Sequence, residues 1–464
     1  MSLQRYALLL DFGASRIKSI LLDLSTGEFS HPQSQPTSPN LVQAQLSEKA
    51  QKYEVSLDTI KSTFLGLCKT YIQDLNFSVE KILICSEMHG FIVTDENNKP
   101  LTPYISWKDQ RSLEGSGDTS TFAQISKDCS GFYKSITGMR LRPSLPFSNF
   151  YHLAQNADLP KPCKIISLPE WLSICVDAHR NIAHETMAAG LGFYDLNTHR
   201  PSTQLQEYIL ERTGKRVAFN EVTEAVVPSA TMKYRQKQIP VYLGVGDHPC
   251  AVLGAGNLPS KTISVNIGTG SQVSIIDYPN KVEILEYRPY FEGRRLATIT
   301  HIPAGRALNV CMVFLEDIAK ACGVNNLSFW DILTTLSMED ILNSTLKMNL
   351  SFFPGGWNYS SGGSIQEIQE GSLSLKNYLA SLIRTLAYQY CDLIEKIDPD
   401  HVLKQIIVSG GIPQKIPVIS GVIANVTGRE VKQGHATADE TLEGLKNLST
   451  MTQENQKLQA KWET

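Results

Sequence analysis

An apolar run, Tyr6-Ala7-Leu8-Leu9-Leu10, ends on Asp11 and leads through Phe12-Gly13-Ala14-Ser15-Arg16 into a second run, Ile17 to Leu22, that closes on Asp23. Two runs of strand length around a short Gly-containing turn predict a β-hairpin. The pattern returns much later as Thr262 to Asn266, the turn Ile267-Gly268-Thr269-Gly270, then Ser271 to Ile276 and Asp277. Aligning Asp11 with Asn266, Gly13 with Gly268, Ala14 with Thr269, Ile20 with Ile275 and Asp23 with Asp277 takes one gap, which suggests a duplicated unit, one in each half. Between the repeats, Ile82 to Cys85 and Phe91 to Thr94 read as strands, the second followed by a turn at Asp95-Glu96-Asn97-Asn98. Pro240 to Gly244 reads as a strand feeding Val245-Gly246-Asp247, and His248 to Gly256 is small and apolar enough for a helix packed on a sheet. Leu375 to Ile397 carries Tyr378, Leu379, Leu382, Ile383, Leu386, Tyr390, Cys391 and Ile394 at helical spacing, an amphipathic helix facing a core. Gln405 to Ser409 is a strand running into Gly410-Gly411, with a helix expected after Pro413. Strands and helices alternating in both halves predict an α/β chain with mixed sheets, dividing near residues 235–260. Phe353 to Gly363 reads as an irregular loop, and the tail from Asn447 is polar.

At 464 residues the chain has room for two large domains or three average ones. Its 43 basic and 46 acidic side chains give a net charge of -3 without a long block of one sign. That leaves no electrostatic footprint for duplex nucleic acid or an anionic membrane, so small-molecule chemistry is the expectation. No apolar run reaches the ~18–20 residues that span a bilayer, and Met1-Ser2-Leu3-Gln4-Arg5 leads into a strand rather than a signal sequence. The nine cysteines are widely spaced, without a CxxC pair. Reduced thiols in a soluble cytoplasmic protein account for them best.

Both hairpin turns place Gly and hydroxyl residues where backbone amides can approach an anion, and either alone is as readily a plain hairpin. With no GxxxxGK[ST] and no GxGxxG, phosphate binding would fall to these turns. Asp247, at a strand end before a helix, can take a proton from a substrate hydroxyl or cap the helix. Asp11 ends its strand in the same way and can sit near a metal ion on a nucleotide, through water, or cap its turn. Glu87-Met88-His89-Gly90 and Trp107-Lys108-Asp109-Gln110-Arg111 put polar groups beside one Trp, either a sugar site or a capped helix start with a buried aromatic. His184-Glu185 has no second His at zinc-site spacing, and no G-x-S-x-G elbow is present.

The strings Asp11-Phe12-Gly13-Ala14-Ser15, Glu87-Met88-His89-Gly90, Trp107-Lys108-Asp109, Gly244-Val245-Gly246-Asp247, Asn266-Ile267-Gly268-Thr269-Gly270 and Ser409-Gly410-Gly411 together resemble the FGGY family of carbohydrate kinases, over roughly residues 5–450. Within that family the sedoheptulokinases are most similar, through Gly138 to Pro146, Glu286-Tyr287-Arg288-Pro289-Tyr290 and Asp439 to Leu445. The resemblance implies two actin-like (ribonuclease H-like) ATPase domains, residues 1–245 with the sugar site and first phosphate turn and residues 246–464 with the second phosphate turn and adenosine site, and an interdomain cleft. It implies Asp247 as catalytic base and Asp11 and Asp247 at Mg²⁺. ATP would be bound by Asp11, Gly13, Ala14, Ser15, Lys18, Gly268, Thr269, Gly270, Gly410 and Gly411, and the sugar by Met88, His89, Trp107 and Asp109. The activity implied is ATP-dependent phosphorylation of a terminal hydroxyl of a ketose, with sedoheptulose first and a pentulose or polyol as alternative. A sugar or nucleotide sensor of weak activity is the alternative of another class. A small-molecule sugar is the partner implied, with neither nucleic acid nor membrane, and a homodimer stays open. Three departures stand out: Ala14 where the first turn usually carries a hydroxyl, Glu87 where Gln is frequent, and Pro354-Gly355-Gly356-Trp357-Asn358 in place of a Gly-Glu-Arg segment.

Overall fold

The structure, a computed structural model, describes residues 4–37, 42–45, 51–115, 119–256, 262–280, 282–353, 356–360, 362–434 and 439–462. The chain forms two compact units. The first comprises Met1–Gly254, Tyr287–Arg295 and Thr441–Thr464, the second Ala255–Glu286 and Leu296–Glu440. The expected division at 245/246 thus falls short of the first crossing at 254/255. It also misses two returns to the first unit, which are held by contacts hundreds of residues apart and leave no trace in local pattern.

In the first unit, β1 (Tyr6–Phe12) and β2 (Arg16–Asp23) form the expected hairpin, followed by β3 (Phe29–Pro36), β4 (Val79–Ser86), β5 (Pro228–Tyr234) and β6 (Lys237–Tyr242). Strand order runs β5-β6-β4-β1-β2-β3. Every residue of β1 is buried, as expected of a central strand covered on both faces. The helix Leu57–Lys69 supplies one cover by turning Ile60, Phe64, Leu67 and Cys68 inward, an i, i+4, i+7, i+8 stripe that joins Leu8, Leu10, Ile82 and Ile84 in one core.

The second unit contains β7 (Thr262–Ile267), β8 (Ser271–Ile276), β9 (Arg295–Ile302), β10 (Gln405–Ser409) and β11 (Glu430–Gln433), ordered β9-β8-β7-β10-β11. Each central strand has an antiparallel hairpin partner on one side and a parallel strand on the other. The order β3-β2-β1-β4-β6 therefore matches β9-β8-β7-β10-β11 strand for strand. The repeat first visible as two hairpins extends to five strands in each unit.

The helix Leu375–Ile397 has the predicted limits. Its stripe is buried except Tyr378, which is half-buried, and Ser374 caps it by accepting the Asn377 N–H. After β10 the helix Gly411–Lys415 begins two residues before Pro413, which lies in its first turn. Gly410, at φ +98°, turns strand directly into helix, a conformation that side chains rarely adopt. Among the described residues of 353–363 there is no helix or strand, while Pro354 and Gly355 lie outside the described residues. All nine cysteines are free thiols, and among the described residues no helix is long and apolar enough to cross a membrane.

Candidate active site

The parallel ends of β1 and β4 in the first unit place Asp11 opposite Cys85, and the hairpin register places it opposite Lys18. The carboxylate is 2% exposed. Its Oδ2 accepts the Lys18 ammonium at 3.3 Å and the Thr441 hydroxyl at 2.7 Å, and the Cys85 thiol lies 3.6 Å from Oδ1. Gly13, Ala14 and Ser15 form the turn that follows. Thr37 steadies it by donating to the Gly13 carbonyl at 2.6 Å. A Cβ at Gly13 would sit 3.0 Å from the Arg16 carbonyl oxygen, tight enough that glycine suits this turn.

Asp247 is the first residue of the helix Asp247–Gly254, where its Oδ1 accepts the His248 N–H at 2.8 Å. Burial pushes its carboxyl up to about 8, reinforced by the negative charges of Asp11 and Glu87 and opposed by the His248 N–H and Lys18. Such a group is a far stronger base than an ordinary aspartate once ionised, and it titrates near neutral pH. Glu87 is also buried, and desolvation raises it to about 7, while hydrogen bonds from Tyr104 and Trp107 and the charge of Lys108 pull the other way. Its Oε1 accepts the Tyr104 hydroxyl at 2.6 Å. Gly90 admits no side chain, since a Cβ there would overlap the Tyr104 ring. The charge of Asp11 raises both Asp247 and Glu87, with Lys18 and Lys108 opposing it, and the oxygen donors of Asp11 and Asp247 fit a hard divalent cation.

Met88 is 5% exposed and packs against Gly190 and against Gly246, where a Cβ would come within 2.8 Å of its sulfur. His89 follows in left-handed backbone at φ 65°, with Nδ1 2.9 Å from the Gly190 carbonyl oxygen. Trp107 is half-buried, with the Lys108 ammonium 5.8 Å from its ring centre. Asp109 differs in placement. It is fully buried, its carboxylate gripped by the Arg111 fork at 2.8 and 2.7 Å and by the Tyr53 N–H at 2.8 Å. Arg111 also bridges to Glu54 at 2.9 Å, so this carboxylate anchors the loop that carries Trp107. His184 is a structural residue. Its imidazole meets the Thr186 hydroxyl and the Glu224 carbonyl, and burial lowers it to about 4. Among the described residues no cluster of three His, Cys, Asp or Glu can hold a metal.

In the second unit Asn266 occupies the place that Asp11 has in the first, and donates to the Ser409 hydroxyl at 3.1 Å. The turn Gly268-Thr269-Gly270 closes through Gly268 N–H to the Gly270 carbonyl at 3.0 Å, and the helix Gly305–Ala321 donates to it from Gly305 and Arg306 at 3.0 and 2.8 Å. Thr269 and Gly270 are exposed. Gly410 donates its N–H to Glu440 Oε1 at 2.8 Å, and Gly411 faces open space. The candidate residues thus form two groups, one in each unit. Thr441, Glu440 and Arg288 join these groups without having been picked out as site residues. Arg288 meets His89 at 3.3 Å. The only local signal for them was that each lies in a string already similar to sedoheptulokinases.

A model for the N-terminal domain of the FGGY family of carbohydrate kinases matches residues 6–254. The xylulose kinase of Lactococcus lactis subsp. lactis is 24% identical over 334 residues, 69% of this chain and 63% of that protein. The gluconokinase of Bacillus subtilis is 26% identical over 211 residues, 44% of this chain and 40% of that protein. The chain therefore spans less than two thirds of the length of these relatives. Among solved structures, ligand-bound xylulose kinase from Lactobacillus acidophilus superposes with a TM-score of 0.74 at 16% identity, over 95% of this chain and 88% of that one. Plasmodium falciparum glycerol kinase with ADP gives 0.76 at 16% identity, over 96% and 89%. The expected fold class, α/β with actin-like domains and mixed sheets, is the one these structures share.

Proposed function

The chain belongs to the FGGY family of carbohydrate kinases, and from that premise we propose that it transfers the γ-phosphoryl group of ATP to a terminal hydroxyl of a ketose, with sedoheptulose as substrate and sedoheptulose 7-phosphate as product. The observation that carries the reading is Asp247, a half-buried carboxyl raised to about 8 beside Asp11, Glu87 and Lys18. Phosphoryl transfer asks little covalent work of a protein. It needs an aligned hydroxyl, a base for its proton and compensation of charge on the phosphates. Asp247 accepts the hydroxyl proton at its carboxylate. Lys18, held by Asp11, balances negative charge beside the turn Gly13-Ala14-Ser15, whose amides bind phosphate oxygens, and the turn Gly268-Thr269-Gly270 offers amides of the same kind. Gly410 and Gly411 take the adenosine. Met88, His89 and Trp107 form the sugar pocket, the indole offering a flat face to carbon-bound hydrogens, and Asp109 holds the loop. Mg²⁺ would be held by Asp11 and Asp247 and would neutralise charge on the phosphates.

Sedoheptulose is favoured by the strings Gly138 to Pro146, Glu286 to Tyr290 and Asp439 to Leu445. The xylulose kinase relative supports a pentulose as second reading. Ala14, which deprives the first turn of a hydroxyl, supports a weakly active sensor. A coupled ADP-release assay over ketoses and polyols separates these readings. The proposal expects release that depends on sugar and is fastest with sedoheptulose. Xylulose well above sedoheptulose supports the pentulose reading, and ligand binding without release the sensor.

A further inference from the structure

From Thr441 onward the helix Glu440–Trp462 belongs to the first unit. Several contacts fix it there. Lys81, on β4, donates to the Ser449 carbonyl at 2.9 Å and to the Thr452 hydroxyl at 3.3 Å. The Asn447 amide donates to the Leu253 carbonyl at 3.2 Å. A Cβ at Gly444 would overlap the Cys250 carbonyl, so glycine lets this helix lie directly against the helix Asp247–Gly254.

Thr441 opens the docked stretch and bonds in two directions. Its hydroxyl donates to Asp11 Oδ2 at 2.7 Å, and its carbonyl accepts the Cys250 thiol at 3.2 Å. Cys250 lies one turn along the helix that Asp247 begins. One residue thus holds the Asp11 carboxylate directly and the helix of Asp247 through Cys250. A carboxylate only accepts, so the hydroxyl hydrogen points at Asp11. Lys18 sits farther from the same oxygen, at 3.3 Å. The two donors differ in effect. An ammonium compensates the charge of the carboxylate, whereas a neutral hydroxyl orients it and leaves the charge in place. Branching at Cβ stiffens the threonine side chain, which keeps the hydroxyl on its target.

We propose that Thr441 is a positioning residue for phosphoryl transfer, holding the Asp11 carboxylate and the helix of Asp247 in one fixed relation. The assignment rests on the kinase reading above and deepens it. Without the hydroxyl, Asp11 turns to Lys18 alone and draws the ammonium away from the phosphates. The transfer step then suffers, while His89 keeps its contact with Gly190.

The test compares T441V, T441S and N447A with the unmodified protein, using sedoheptulose, or xylulose if the unmodified protein turns that over faster. T441V removes the hydroxyl and should lower kcat about 10- to 100-fold, the usual cost of losing a partner that orients a carboxylate beside a metal. Its affinity for the sugar, measured by calorimetry, should stay within about two-fold. The gain in ADP affinity that Mg²⁺ brings, measured without sugar, should shrink roughly 5-fold, as for one lost hydrogen bond. T441S keeps the hydroxyl on a looser side chain and should restore kcat to within about three-fold of the unmodified value. N447A loosens the same docking away from Asp11, so its melting temperature should fall while kcat holds. A kcat for T441V within about two-fold of the unmodified value overturns the assignment, as does an unchanged Mg²⁺ gain or a serine variant no better than the valine one. N447A losing as much turnover as T441V also overturns it, because docking alone then explains the effect. If T441V does not fold, T441A is measured in its place, and failure of both makes Thr441 a structural residue only. An unmodified protein that phosphorylates neither ketose removes the kinase reading and this assignment together. Turnover indifferent to Thr441 removes this assignment alone.

Discussion

Asp247→Asn should make the protein more stable while it abolishes turnover, and the gain should grow with pH. Asparagine keeps the volume of the side chain and the oxygen that accepts the His248 N–H, but it has no proton to lose. In the unfolded chain the carboxyl of Asp247 titrates near 3.8, and in the fold near 8, because burial and then the charge of Asp11 disfavour its ionised form. Between those values the folded protein holds a proton that the unfolded chain has released. Stability therefore falls as pH rises through this window, by up to roughly 5–6 kcal/mol for a shift of about four units. The side chain keeps some contact with solvent, which reduces the effect to about 2–4 kcal/mol. The variant escapes it. Its advantage should be near zero at pH 4 and about 2–4 kcal/mol at pH 8, or roughly 2–7 °C in melting temperature for a protein of this size. Chemical denaturation in chelator at several pH values measures the difference directly, and Glu87 is present in both proteins. Turnover should drop at least ~100-fold, and that of the unmodified protein should rise with pH through the same window. A stability difference independent of pH, or a less stable variant at pH 8, refutes the reasoning.

Ala14→Thr restores a hydroxyl to the first phosphate turn and should lower KM for ATP a few-fold, in line with one neutral hydrogen bond of about 1 kcal/mol; an unchanged KM means that position 14 faces away from phosphate. Gly410→Ala puts a Cβ 2.5 Å from the Ile267 carbonyl oxygen at φ +98°, and should destabilise the second unit by about 1–3 kcal/mol in denaturant titration, whereas native stability would show that this turn tolerates a side chain. Arg111→Met leaves the carboxylates of Asp109 and Glu54 without their shared cation, with an expected loss of roughly 3–5 kcal/mol. A loss under about 1 kcal/mol would mean that the loop bearing Trp107 is held by other contacts.

The central strands and their hairpins were legible because each is a continuous apolar run closed by a Gly turn, and such signals are local. The register that sets Lys18 against Asp11 follows from the hairpin alone. The similarity of the halves was also readable, since Asn266 stands in the string where Asp11 stands in the other half. What local pattern could not supply were contacts between distant positions. Thr441 meets Asp11 across 430 residues and Arg288 meets His89 across 199, and no periodicity encodes either pairing. The same limit explains Asp109. Its type and position suited a sugar ligand, and only the fold brings Arg111, Glu54 and Tyr53 around it. The helix from Gly411 begins two residues before its proline because Gly410, at φ +98°, turns the strand directly into it, and Pro413 still falls in the first turn that suits it.

The most direct test of the account is to identify where the phosphate goes. Sedoheptulose, ATP and Mg²⁺ incubated with the protein, followed by phosphorus and carbon NMR of the product, should yield ADP and one phosphomonoester on carbon 7, and the Asp247→Asn variant should yield almost none over the same time. Release of inorganic phosphate without a sugar ester, or an ester formed equally well by the variant, would contradict the assignment of Asp247 as the base of a ketose kinase.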